Sequence, residues 1–248
     1  MEVNYTRKIT HTGYHNPELV KKYFHRVPKN IYQKIKHYDK SFKSLYLLCN
    51  DEFIVGKTKN VKWVPIIMST FPFSLVAVLF KNVWNGTSNY EFLFYIALLV
   101  GIFMVVYGLT MPKQEAILNR RDGLITFDGF LWQDNITMSF SEVEFSFSTG
   151  GVDLIGAYQL QIMRPNKRVT FAVPLLSGRN CYEGISFITW YMDKNRPLPP
   201  EELFDPYREA DFQRRKAEGF PKPLYPSDIP TPEATPEQQA ERERIGGW

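Results

Sequence analysis

Two apolar runs that contain no charged residue constrain the fold of this chain most strongly. They extend from Trp63 to Phe80 and from Phe92 to Met111. An α-helix rises about 1.5 Å per residue, so roughly 20 apolar residues match a hydrocarbon core about 30 Å thick. The alternative is a pair of buried core helices, but most helices of soluble proteins keep a polar face and neither run has one. The sequence therefore predicts a two-helix transmembrane hairpin.

Aromatic residues flank both runs. Trp63 and Trp84 flank the first run, and Tyr90 and Tyr107 lie near the ends of the second. Because Trp and Tyr are enriched at membrane–water interfaces, we interpret these four residues as membrane-interface anchors.

The interiors of the two runs argue against a transport function. Neither run contains Asp, Glu, Lys, Arg or His, and such residues usually mark an ion or substrate pathway. Pro65 and Pro72 in the first run each remove a backbone donor, so we expect a kinked or shortened helix there.

The distribution of Lys and Arg predicts the orientation of the hairpin. Residues 1–62 hold thirteen Lys and Arg against five Asp and Glu, while the connecting loop has only Lys81 and Glu91. Lys113, Arg120 and Arg121 then follow the second run closely. By the positive-inside rule both termini are cytoplasmic, as in a two-pass protein of a bacterial inner membrane. The first run begins too far into the chain for a cleavable signal peptide.

The overall charge of +4 combines a basic and an acidic part. Residues 111–248 hold sixteen Lys and Arg against twenty Asp and Glu. A basic stretch beside a membrane attracts anionic headgroups, by about 1 kcal/mol per residue near the surface. Nucleic acid is the competing partner, but the basic residues are interleaved with apolar ones and match no recognised motif. We therefore expect membrane lipids as partners, and no nucleic acid.

Residues 112–195 show the pattern of a β-rich cytoplasmic domain. Asp122-Gly123, at the end of the segment 119–123, predicts a tight turn between the strands Ala116 to Leu118 and Leu124 to Phe127. Alternating apolar residues predict further strands, including a hairpin from Tyr158 to Val173, and helical spacing follows from Cys181. Antiparallel strands closed by a helix resemble the pleckstrin-homology-like fold, and an ordinary α+β sandwich fits the same pattern. The predicted class is an α+β membrane protein.

The remaining segments are a basic cytoplasmic N-terminal region, residues 1–62, and a tail, residues 196–248. The tail begins as a Pro-rich linker. Asp205-Pro206 predicts the start of a short helix that Gly219 ends, and Thr235-Pro236 predicts the start of another. The apolar residues among the prolines from Phe220 to Pro232 favour docking on the domain or on a partner.

Chemistry-bearing residues are sparse. All four histidines, His11, His15, His25 and His37, precede the first run, and none forms the H-E-x-x-H spacing of a catalytic zinc site, so no metal site is expected. Gly150-Gly151 lacks the Lys-Ser or Lys-Thr of a phosphate loop, and the two cysteines are expected to be buried thiols. We therefore predict neither a catalytic residue nor a cofactor.

Three basic residues, Arg164, Lys167 and Arg168, cluster at the predicted tip of one hairpin. They are candidate lipid-headgroup contacts, because basic hairpins of pleckstrin-homology-like domains bind lipid phosphates. Solvated turn charges are the commoner explanation of such a cluster.

The whole arrangement resembles an uncharacterised family of bacterial inner-membrane proteins whose genes lie beside type VI secretion effectors. The resemblance rests on the basic N-terminal region, the two adjacent runs, the hairpin around Asn119-Arg120-Arg121 and the Pro-rich tail. It implies an immunity or accessory protein and carries over no functional residue.

Two functional hypotheses follow. In the first, the protein is a non-enzymatic immunity or accessory protein that acts by binding a protein partner, such as a cognate toxin. In the second, it is a membrane-tethered adaptor or signalling module that binds lipid headgroups or a cytosolic protein. An enzyme ranks third, because no catalytic motif is found.

Overall fold

The computed structural model describes residues 4–35, 46–57, 62–86, 90–148, 159–175 and 180–248. The chain divides into two compact units. The first, which we call the β-sheet unit, comprises Met1–Lys57, Glu115–Gly129 and Asn135–Trp248. The second, the helical unit, comprises Thr58–Gln114 and Phe130–Asp134. The α+β class predicted from the sequence is confirmed.

The larger sheet of the β-sheet unit is an antiparallel meander. Its strands follow one another in the order of the chain. Strands are numbered in chain order, and β1 (Arg26–Val27) belongs to the second sheet. The strands of the larger sheet are β2 (Tyr46–Cys49), β3 (Phe53–Gly56), β4 (Ile117–Asn119), β5 (Leu124–Phe127) and β6 (Ile136–Ser139). The β4–β5 hairpin forms around Asp122-Gly123, as predicted.

The second sheet recruits a strand from the N-terminal region. Its order is β1 (Arg26–Val27), β7 (Phe145–Ser148), β8 (Gln159–Met163) and β9 (Phe171–Ala172), all antiparallel. A short helix, α1 (Pro17–Lys21), precedes β1. The predicted hairpin ending at Val173 is present as β8 and β9, while Tyr158 and Gly150-Gly151 lie outside the described residues.

The pairing of β3 with β4 joins two segments that are far apart in the sequence. Val55 pairs with Ile117, Ile54 pairs with Leu118, and the Gly56 N–H donates to the Ala116 carbonyl at 2.9 Å. The long segment of the helical unit is therefore an insertion between two neighbouring strands. The N-terminal region, predicted as a separate segment 1–62, supplies three strands to the same unit as residues 115–129 and 135–248.

The helical unit contains α2 (Trp63–Met68), α3 (Thr70–Trp84) and α4 (Glu91–Thr110). Together α2 and α3 form one apolar helical segment, Trp63–Trp84, and both this segment and α4 are long and apolar enough to cross a membrane. The segment is interrupted at Ser69. Pro72 has no N–H to offer the carbonyl one turn earlier, which accounts for the interruption expected there.

Two glycines let the helices of this unit approach closely. A Cβ built on Gly101 would lie 2.9 Å from the Phe73 ring. At Gly108 it would lie 2.8 Å from the Lys62 carbonyl oxygen. Small residues at these positions therefore permit the tight packing of α4 against the first segment.

The core of the β-sheet unit is closed by α5 (Cys181–Met192). The Asn180 side chain caps this helix by accepting a hydrogen bond from the Glu183 N–H at 2.8 Å. Ile185, Ile188 and Tyr191 are completely buried. They belong to a single hydrophobic core that also contains residues of both sheets.

The tail is folded onto the β-sheet unit. It contains a 3-10 turn (Glu202–Phe204), α6 (Asp205–Ala217) and α7 (Pro236–Gly246). Gly219 follows α6 with a φ of +77°, and Thr235 caps α7 by accepting from the Gln238 N–H. Both predicted helices are confirmed, and Phe220 is only 1% exposed.

The β3–β4 pairing predicts that the hairpin can be removed without unfolding the β-sheet unit. In the variant, which we call the hairpin-excised unit, Asn-Gly joins Lys57 to Glu115, and Ser-Gly-Ser replaces Phe130 to Trp132. We expect this variant to unfold cooperatively in aqueous buffer, because a two-residue turn suits antiparallel neighbours. Thermal circular dichroism measures this. The matched fragment, residues 113–195, lacks three strands and is expected to show no cooperative transition. Cooperative unfolding of the fragment alone would contradict the insertion.

Candidate binding cleft

A cleft of about 440 Å³ opens on the β-sheet unit. It lies among the β2–β3 turn, the β4–β5 turn, the end of α5 and the C-terminal half of α6. Its lining is entirely charged and consists of Asp51, Glu52, Arg120, Arg121, Lys194, Arg214 and Glu218. The cleft therefore offers both signs of charge to a ligand.

The β4–β5 turn supplies two neighbouring arginines with opposite environments. Asn119 Oδ1 accepts a hydrogen bond from the Asp122 N–H at 3.0 Å, and the Asn119 amide donates to the Asp122 carboxylate at 2.8 Å. Gly123 then adopts a φ of +66°, which a residue without Cβ reaches at no steric cost. In this turn the Arg120 side chain is 2% exposed and that of Arg121 is 69% exposed.

Arg120 forms the buried wall of the cleft. Its Nη1 donates to Asp211 Oδ1 at 2.5 Å, and its Nη2 donates to the Arg196 carbonyl at 2.6 Å. Burial of a charge is costly unless it is paired and hydrogen-bonded, and these bonds supply that compensation. Its Nε has no hydrogen-bond partner among the described residues.

A row of alternating charges continues from Asp211 to the end of the chain. Arg215 Nε donates to Asp211 at 2.9 Å, and both Arg215 terminal nitrogens donate to Glu233, at 2.7 and 2.8 Å. Glu233 also accepts from Arg242 at 3.1 Å, and the Arg242 guanidinium lies 4.3 Å from the Trp248 ring centroid. This buried charge row joins the β4–β5 turn to α6, to the Pro-rich segment and to α7.

The carboxylate at the start of this row is ionised by its neighbours. Burial opposes ionisation of Asp211, but the charges of Arg120 and Arg215 outweigh it, so the pKa lies below its ordinary value of 3.8. A carboxyl whose pKa is lowered by folding stabilises the fold above the ordinary pKa. This contribution is lost as the pH falls through the lower, folded-state pKa.

A second buried cluster fixes the Pro-rich segment. Asp193 Oδ2 accepts from the backbone N–H groups of Leu224 and Tyr225, at 3.0 and 3.2 Å, and pairs with Arg196 at 3.1 Å. Arg196 in turn donates to the Thr231 hydroxyl at 2.7 Å. The prolines cannot supply backbone donors, so these charged side chains hold the segment together with one isolated parallel bridge between Ile31 and Ser227.

The rim of the cleft is open to solvent. Arg121 lies 3.4 Å from Glu52, and Arg214 lies 3.1 Å from Glu218. Exposed pairs of this kind contribute about 0–1 kcal/mol each, so a ligand can replace them at little cost. Because carboxylates alternate with cations, the cleft presents a surface of mixed charge.

The three candidate lipid contacts separate in the structure. Arg164 is 7% exposed, donates through Nε to the Asp128 carbonyl at 2.8 Å, and pairs with the Asp128 carboxylate and the Phe171 carbonyl. Its guanidinium therefore fixes the β8–β9 hairpin to the chain after β5. Lys167 and Arg168 remain exposed at the hairpin tip.

The four candidate interface anchors all lie in the helical unit. Trp63, Trp84 and Tyr90 are exposed, at 59%, 78% and 62% respectively. Tyr107 is partly buried, because its ring stacks on Phe103 at a centroid distance of 6.2 Å.

Neither cysteine lines the cleft. Burial raises the pKa of Cys49 to about 12 and also raises the pKa of Cys181, so neither thiol ionises readily near neutral pH. Within the described part of the chain, no three His, Cys, Asp or Glu side chains are grouped so that they could hold a metal ion.

The cleft has no signature in the amino-acid sequence. Arg120 and Arg121 entered the sequence prediction only through the positive-inside rule and the family resemblance, and Asp211 and Glu233 carried no signal of their own. Residues 120 and 211 are 91 positions apart, and a single sequence holds no record of such a contact. The apolar content of the Pro-rich segment predicted that the tail docks, but it did not predict the cleft.

No protein-family model, curated protein or solved structure matches this chain. No relative therefore links it to type VI secretion genes, and its function has to be inferred from its own residues.

The buried charge row predicts unequal effects of two carboxylate substitutions on α6 and its C-cap. Asp211→Ala leaves Arg120 and Arg215 without their shared counter-charge and is expected to cost about 3–5 kcal/mol of unfolding free energy. Glu218→Ala removes only an exposed partner of Arg214 and is expected to cost less than about 1 kcal/mol. Denaturant titration of the full-length protein in detergent, followed by tryptophan fluorescence, compares them. Equal losses would contradict the assigned role of Asp211.

Proposed function

We propose that the protein is a two-pass membrane protein whose β-sheet unit binds a protein partner at the membrane surface and catalyses no reaction. The observation that carries this proposal is the exposed apolar hairpin inserted between two paired strands of a folded unit. A membrane anchor and a binding surface are the two functions that such an arrangement combines.

The exposure of the two helical segments supports membrane insertion over burial in a protein core. Only 11% of the most apolar stretch of Trp63–Trp84 is buried, and 17% of that of Glu91–Thr110. Phe71, Phe92 and Leu99 are 78%, 79% and 67% exposed. Exposed apolar surface costs about 25 cal/mol per Å² in water, and a hydrocarbon environment removes that cost.

The β3–β4 pairing supports a common side for both flanks of the hairpin. Residues before β3 and after β4 fold into one unit, so an even number of crossings is required. The basic residues on both flanks support a cytoplasmic location for that side. We therefore propose a bacterial inner-membrane protein with both termini cytoplasmic.

The mixed-charge cleft supports a protein as the partner. A specific interface needs about 800 Å² per partner, and the short connection between α3 and α4 is too small to supply it. In the immunity or accessory role, the β-sheet unit would bind a cognate type VI secretion toxin or its assembly in the cytoplasm. The lining groups Arg121 and Arg214 are already paired with Glu52 and Glu218, which supports a role in charge recognition.

A lipid-binding adaptor is the second candidate function. Lys167 and Arg168 at the β8–β9 tip support it, but Arg164 is already paired with Asp128. Two exposed cations contribute about 1 kcal/mol each near an anionic surface, which is too little for stable binding alone.

We also propose that the β-sheet unit is pleckstrin-homology-like. The order of its elements supports this: a meander of consecutive strands, a second antiparallel group of three consecutive strands, and then the closing helix α5. The hairpin and the N-terminal strand β1 would be additions to that plan.

Membrane topology is testable with single cysteines. In intact bacterial cells we expect Asn85→Cys, at the end of α3, to react with a membrane-impermeant maleimide. Arg121→Cys, at the β4–β5 turn, is expected to react only after lysis, since the basic flanks hold that side in the cytoplasm. The wild-type chain measures the background from Cys49 and Cys181. Labelling of position 121 alone in intact cells would invert the proposed topology.

The partner site is testable by charge reversal. A photo-crosslinking residue at position 121 is expected to give a discrete protein adduct in cells that carry the native neighbouring genes. Lys194→Glu is expected to reduce the yield of this adduct about tenfold, because a repelled charge costs over 1 kcal/mol. The paired substitution Lys167→Glu and Arg168→Glu at the hairpin tip is the matched control and is expected to leave the adduct unchanged.

The opposite pattern would favour the adaptor function. In that case the hairpin-tip substitutions, and not Lys194→Glu, would weaken binding of the hairpin-excised unit to vesicles that contain phosphatidylglycerol. If the adduct at position 121 is a toxin, protection of cells by the hairpin-excised unit would test whether cytoplasmic capture is sufficient.

A further inference from the structure

The connection between β5 and β6 leaves the β-sheet unit and joins the helical unit. Residues Phe130–Asp134 cluster with Thr58–Gln114, whereas the flanking residues belong to the β-sheet unit. Leu131 in this loop has a φ of +53°, which is uncommon for a branched side chain. A strained backbone of this kind persists only where surrounding contacts hold it.

Trp132 supplies those contacts at the end of α4. Its Nε1 donates to Thr110 Oγ1 at 2.8 Å, and the Thr110 hydroxyl donates to the Val106 carbonyl at 2.6 Å. The Trp132 ring meets Tyr107 edge-on at a centroid distance of 5.2 Å and Phe103 at 5.7 Å. The loop therefore packs along the last two turns of the apolar helix.

The exposed parts of this loop are apolar. Phe130 and Trp132 are 43% and 45% exposed. The Trp132 Nε1–H is already donated to Thr110, so the exposed part of this side chain is the ring surface that does not face Tyr107 and Phe103. An amphipathic aromatic residue at the end of an apolar helix is typical of the membrane–water interface.

We propose that residues 130–134 form a third membrane contact, an aromatic wedge that lies in the interfacial layer of the leaflet that contains the end of α4. This proposal rests on the proposed membrane insertion of the hairpin. It follows because Thr110 ends the apolar segment, and the contacts with Tyr107 and Phe103 place Trp132 beside residues within that segment. The partner of this surface is the boundary between lipid headgroups and acyl chains.

Depth measurements on the full-length protein in phosphatidylcholine–phosphatidylglycerol nanodiscs test the wedge. An environment-sensitive fluorophore is attached at Phe130→Cys, at Arg121→Cys as the aqueous control, and at Leu99→Cys as the hydrocarbon control. The wild-type chain gives the background labelling of Cys49 and Cys181. We expect quenching by spin-labelled lipids at position 130 and iodide quenching about fivefold weaker than at position 121, as for a group buried in the interface.

A probe at position 130 that behaves like the one at 121, while position 99 is in hydrocarbon, would overturn the wedge alone. An aqueous probe at position 99 would overturn membrane insertion and the wedge together. Trp132→Ala in the Phe130→Cys protein is expected to raise iodide quenching toward that of position 121, and Trp132→Phe is expected to restore most of the protection. Unchanged quenching in Trp132→Ala would contradict the role of Trp132 as the anchor.

Discussion

The antiparallel pairing of β3 with β4 is the constraint on which the rest of the structure depends. The strands are joined in space by ladder hydrogen bonds but separated in the chain by the whole apolar insertion. Because both ends of the insertion are held by one pair of strands, the two helical segments must leave and return at one place. In the two-pass arrangement that we propose, the same pairing requires the flanking regions to share one side of the membrane.

The buried charge row plays a comparable role for the C-terminal tail. Arg120, Asp211, Arg215 and Glu233 are each at most 8% exposed, so each charge depends on its neighbours for compensation. Replacement of such a row by apolar residues is often neutral or stabilising, whereas removal of one member is costly. Its value therefore lies in specificity: the Pro-rich segment has few backbone donors, and charged side chains define where it lies.

The cleft is a consequence of both features. The β4–β5 turn supplies Arg120 and Arg121, and the tail supplies Arg214 and Glu218. A binding surface built from the turn after the insertion and from the docked tail is present only when both segments are folded. Any partner that reads this mixed-charge surface therefore recognises the complete β-sheet unit, and not an isolated peptide.

The sequence by itself determined the local elements, because their signals are local: apolar runs for the long helices, Asp122-Gly123 for one hairpin, and the helix starts at Asp205-Pro206 and Thr235-Pro236 in the tail. It also indicated that the Pro-rich tail docks. Only the tertiary structure decided that the N-terminal region supplies β1, β2 and β3, that Arg164 is committed to Asp128, and that Arg120 meets Asp211. Those pairings join residues far apart in the chain, and the residues have no propensity that encodes their partners. They are fixed by the pairing of strands and by the need to neutralise each buried charge.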